Sequence, residues 1–150
     1  MTDRIIVATF NDTNTAYDAV SAIKNLKDSG ATQFKLKAGV MVKKDERGNV
    51  SLIEDRDRPL LGTAVGTTAG ALIGLLGGAP GAALGAALGA TAGLTGDAVM
   101  AALDSDFVET VTDQMRPGMT ALVVEANEGN TRAVDDIVAL GGGHVYRQAA

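Results

Sequence analysis

Residues 4–23 read RIIVATFNDTNTAYDAVSAI, and residues 121–140 read ALVVEANEGNTRAVDDIVAL. Each stretch opens on a short unbroken apolar run. Each then meets an Asn-acid-x-Asn-Thr sequence, at 11–15 and at 127–131, and passes into an amphipathic pattern. An apolar run without alternation, rich in β-branched residues, marks a strand buried on both faces, and residues 5–10 and 120–126 fit it. Asparagine ahead of apolar residues spaced three to four apart marks a capped helix. In the first stretch Asn14 is the expected cap, Ala16, Val20, Ile23 and Leu26 or Lys27 form one face, and Gly30 suits the exit. In the second, Asn130 is the expected cap and the triple glycine 141–143 the exit. With a one-residue slip, Tyr17-Asp18-Ala19-Val20 lies over Val134-Asp135-Asp136-Ile137.

A strand follows each helix. In QFKLKAGVMVKK (33–44), Phe34, Leu36, Ala38, Val40 and Val42 share one face of a period-two pattern, with Lys35, Lys37 and Lys43 on the other. HVYRQ (144–148) is a short last strand. The chain therefore holds two strand-helix-strand halves, 4–44 and 119–148. Two such halves in one sheet make a ferredoxin-like sandwich, an α+β fold, with right-handed crossovers and the strands at 5–10 and 120–126 in the centre. Between the halves, DERGN (45–49) turns the chain, and residues 50–54 return as a partner strand. LDSDFVETVTDQMRPG (103–118) is a helix with Asp104 or Ser105 as its cap. Asp106 and Glu109 stand at its positive end, and Pro117-Gly118 stops it.

The remaining segment, LLGTAVGTTAGALIGLLGGAPGAALGAALGATAGLTG (60–96), carries no charge. Glycine recurs every fourth position at Gly62, Gly66, Gly70, Gly74 and Gly78, and after Pro80 at Gly81, Gly85, Gly89 and Gly93. Inside a helix each glycine costs about 1 kcal/mol relative to alanine, so packing must offset the penalty. A spacing of four gives a stripe that drifts by about 40° per step. A stripe without side chains lets two backbones approach closely. GGAPG (77–81) is a natural reversal, which predicts an antiparallel helical hairpin, 60–76 and 81–103, packed glycine face to glycine face. Leu61, Val65, Leu72, Ile73 and Leu76 line an adjoining stripe on the first helix. Leu84 and Leu88 do so on the second. The expected organisation is 1–58, the first half with its hairpin strand; 59–103, the glycine-zipper hairpin; and 104–150, the linking helix with the second half.

Such a hairpin has no charged outer face, so its flanks need a cover. Three covers are open: lipid, other copies of the chain, or the chain's own sheet. The 38 uncharged residues 59–96 allow two spans of roughly 17–20 residues, at the lower limit for a hydrocarbon core about 30 Å thick. Leu84, Leu88 and Leu94 are the only large apolar side chains in 81–96, which gives weak insertion drive. Were it inserted, Arg56 and Arg58 ahead of it would hold both flanks on the cytoplasmic side.

The rest of the composition excludes more than it suggests. Net charge is −5, with 10 basic and 9 acidic residues in 1–59, and 3 and 9 in 97–150. No basic stripe forms, so nucleic acid is not an expected partner. Without cysteine there is no disulfide framework, thiolate nucleophile or zinc ribbon. The N-terminal apolar run is too short for a signal peptide, and the expected location is the cytoplasm or the cytoplasmic face of the inner membrane. His144 is the lone histidine and reads as structural or solvated. Ser21, Ser29, Ser51 and Ser105 lack a base or oxyanion partner. Asp104, Asp106 and Glu109 read as helix-start charges, and Asp135-Asp136 as a solvated face. GTAVGTTAG lacks the Gly-Lys-Ser/Thr ending of a phosphate loop. Lys43, Lys44 and Arg47, with Arg56 and Arg58, are the best basic patch for lipid headgroups, diluted by five neighbouring acids.

Across nearly its whole length the chain resembles a bacterial family of predicted membrane proteins, a domain of unknown function, number twelve sixty-nine. The resemblance rests on GVMVKKDERGNVSLIEDRD (39–57), on the glycine zipper, and on the Asp104-x-Asp106-Phe107 helix start. Arg116-Pro117-Gly118 before an apolar strand and the closing Gly141-Gly142-x-x-Val145 complete it. It implies a sandwich with an inserted glycine-zipper hairpin and implies no activity, so no catalytic residue is carried over. Many relatives have aromatic residues in the hairpin, and this chain has none there. The expected function is therefore non-enzymatic: a self-assembling protein whose hairpin drives homo-oligomerisation, membrane association or both, in a scaffold or stress-related role. Its expected partners are itself and membrane lipid, with no cofactor and no metal. The alternative is a ferredoxin-like regulatory module that binds a small ligand.

Overall fold

The apolar run at the start of the chain forms β1, Thr2–Phe10, and every residue from 5 to 10 in it is buried. The computed structural model describes residues 2–29, 33–53, 72 and 104–149. The expected glycine hairpin, apart from Leu72, lies outside the described residues. Helix α1, Thr13–Asp28, follows β1. Then come β2, Phe34–Lys44, and β3, Val50–Leu52. Beyond the glycine segment stand α2, Ser105–Gln114, β4, Thr120–Glu128, α3, Arg132–Leu140, and β5, His144–Ala149.

The fold is α+β: five strands in one sheet and three helices among the described residues. The strand order is β3-β2-β4-β1-β5, and every neighbouring pair is antiparallel. It follows that β1 and β2 run parallel with β4 between them, and that β4 and β5 run parallel with β1 between them. Helices α1 and α3 make those two connections, and both pack on one face of the sheet. There Ile6, Ala8, Phe10, Leu122 and Val124 meet Ala16, Val20, Ile23, Val134 and Val138. On the opposite face, Ile5, Val7, Val40, Val42 and Val123 meet Phe107, Val111 and Met115 of α2 and its exit, together with Leu72. Unalternating strands are what a sheet covered on both faces requires.

Three local expectations are corrected. The cap of α1 is Asp12, not Asn14: its Oδ1 accepts the Thr15 N–H at 2.7 Å and the Thr15 hydroxyl at 2.9 Å. The short carboxylate reaches the orphan amides of the first turn, so the helix starts two residues early. The five apolar residues of β2 do not share a face. A register break between Leu36 and Ala38 leaves Lys37 as an extra residue opposite β4. Phe34 and Leu36 therefore pack under α1 and α3, while Ala38, Val40 and Val42 face α2. The resemblance between 11–15 and 127–131 is also out of structural register. Asn11 and Asp12 follow their strand, whereas Asn127 and Glu128 belong to β4. The equivalent buried helix positions are Ala16 and Val134, then Val20 and Val138. Their offset equals that between β1 and β4, with no slip.

The triple glycine has a steric cause. Gly142 adopts φ +70°, and a Cβ on Gly143 would stand 2.6 Å from the Thr9 carbonyl oxygen and 2.8 Å from the Phe10 ring. Only a bare backbone lets the α3–β5 turn lie against the end of β1.

Candidate functional site

Of the sixteen side chains and glycines assigned to assembly, Leu72 alone is described. It is helical and has no exposure to solvent. Its neighbours in the core include Ile5, Val7, Val40 and Val123 of the sheet and Phe107 and Val111 of α2. At this one position the uncharged segment is helical and packed into the chain's own core. Gly62, Gly66, Gly70, Gly74, Gly78, Gly81, Gly85, Gly89 and Gly93 lie outside the described residues, as do Leu61, Val65, Ile73, Leu76, Leu84 and Leu88.

The segment's two attachments stand on opposite edges of the sheet. At one, the Ile53 N–H donates to the Met41 carbonyl at 2.8 Å, beside edge strand β3. At the other, the Asp104 N–H donates to Gln148 Oε1 of edge strand β5 at 2.6 Å. Asp104 then caps α2 through the Asp106 N–H at 2.9 Å, the helix-start role read from sequence.

The densest chemistry among the described residues is a charged node under the first turn of α3. Glu128 ends β4 on the face that carries Leu122, Val124 and Ala126, and its side chain has no exposure. Arg147 of β5 donates Nε to Glu128 Oε2 at 2.9 Å and Nη2 to Glu128 Oε1 at 3.1 Å, a bidentate pair. Its Nη1 reaches Asp135 Oδ1 at 2.6 Å, and Nη2 also donates to the Thr131 carbonyl at 3.1 Å. Arg4 stands 3.6 Å from Glu128 Oε2. Burial acts to lower the Arg147 pKa, but the hydrogen bonds and charges of Glu128 and Asp135 outweigh it, and the net shift is upward. All three guanidinium nitrogens donate within the chain, so the node ties β5 and α3 to β4. Asp135 keeps 43% of its side chain exposed while holding Arg147, and Asp136 is exposed, as the solvated face expected from sequence. The inward place of Glu128 was available from sequence by extending the period-two pattern of β4 from 122, 124 and 126.

The other polar candidates are dispersed. His144 is exposed at the start of β5, and Ser21, Ser51 and Ser105 are exposed on three different elements. Lys43 and Arg47 are exposed at the β2–β3 turn, while Lys44 donates Nζ to the Met115 carbonyl at 3.2 Å. Among the described residues no group of three or more His, Asp or Glu is placed to hold a metal ion. No helix among them is long and apolar enough to cross a membrane. An open groove of about 460 Å³ runs between α1 and α3, lined by Thr15, Asp18, Ala22, Ile137 and Leu140.

The sequence model of a family described as "Protein of unknown function (DUF1269)" matches residues 63–149, more than half of the chain. The chain belongs to the DUF1269 family. The matched region opens inside the uncharged segment and runs through α2, β4, α3 and β5, so the Glu128–Arg147–Asp135 node is a feature of the DUF1269 portion. Strands β1 to β3 and α1, which complete the sheet, precede it. No curated protein and no solved structure gives a significant match to this DUF1269 chain.

Proposed function

We propose that this DUF1269 protein is a non-enzymatic assembly protein: a ferredoxin-like sandwich that associates with further copies of itself through its inserted glycine-zipper hairpin. The observation that carries the reading is the nine-glycine, four-residue repeat in an uncharged segment, with Leu72 inside it helical and buried. The strand order, with the two antiparallel strands β1 and β4 adjacent and both crossover helices on one face, supports the sandwich. A helix docked through Leu72 keeps other faces of the segment for partners. Glycine faces gain from close backbone contact what they lose in helix propensity. The work is done in the cytoplasm or on the cytoplasmic face of the inner membrane, with lipid as the alternative cover for the hairpin. The ligand-binding alternative finds little in the α1–α3 groove, where the Thr15 hydroxyl is already bonded to Asp12.

The test is Gly70→Leu combined with Gly85→Leu, read by light scattering on the soluble fraction and by detergent-free fractionation of the lysate. A large discrete particle that dissociates in the variant supports self-association. A protein recovered only in the membrane pellet, and released by the double substitution, moves the hairpin into lipid. Unchanged particle size and unchanged membrane fraction would sink the zipper reading altogether.

A further inference from the structure

We draw no further inference here: the strongest candidate, the open groove between α1 and α3 with the exposed Leu140 on its rim, carries nothing, because nothing in the structure shows what covers it.

Discussion

Glu128 sits out of reach of water with Arg147 in bidentate contact and Arg4 nearby. A buried pair contributes little relative to an apolar replacement, but removing one partner strands a charge, at a cost of about 3–5 kcal/mol. Arg147 keeps 18% of its side chain exposed, which places Arg147→Ala near the lower figure, about 3 kcal/mol, in a urea denaturation. Arg147→Ala with Glu128→Leu should cost clearly less than the sum of the two single changes, because no fully buried charge is left unpaired. Gly143 is a separate single-residue constraint. In Gly143→Ala the methyl meets a backbone oxygen that cannot swing away, so a loss of about 1–3 kcal/mol is expected in the same measurement. Neither role was visible from residue type alone. Three glycines in a row announce a helix exit, but not which of them touches β1, and an acid beside Asn-Thr looks like capping chemistry until β4 is seen to run through it.

At the scale of elements, every helix and strand among the described residues was legible, because each has a clean period and a punctuating Asn, Asp, Gly or Pro. Limits and faces were harder. The bulge at Lys37 moves Phe34 and Leu36 to the other side of the sheet from Ala38, and no periodicity within β2 signals it, since both halves alternate correctly. The start of α1 was missed because Asp12 and Asn14 are both good caps, and geometry chose the carboxylate. That choice has a pH signature. The Thr15 amide and hydroxyl, with the Asn14 amide, hold the Asp12 carboxyl below its ordinary 3.8. A carboxyl lowered in the folded state adds stability above its unfolded pKa, and that stability is lost as pH falls through the lower folded value. The wild type should therefore lose stability more steeply below pH 3.8 than Asp12→Asn, which keeps an acceptor that does not titrate. Urea midpoints measured across the acid range check this.

For the whole molecule, the two-faced sheet is what the unalternating runs of β1 and β4 demanded, and the second covering layer was the part the sequence left open. Leu72 was assigned to a stripe for assembly; it is also a member of the core beneath α2. Leu72→Ala should cost about 2–5 kcal/mol of stability, seen as a lower thermal midpoint than the wild type at the same protein concentration. A variant with the wild-type midpoint but a smaller particle would instead assign Leu72 to contacts between copies. The positions of Ile53 and Asp104 carry a practical consequence for anyone wishing to cut the glycine segment away. Its two ends are moored at opposite edges of a five-stranded sheet, four strand spacings or roughly 19 Å apart. A replacement tether must bridge that width, about six extended residues at the least. A trimmed protein with a two-residue splice could not close its own topology, so a useful minimal version needs a longer polar linker and a substitute for the core contacts of Leu72 together.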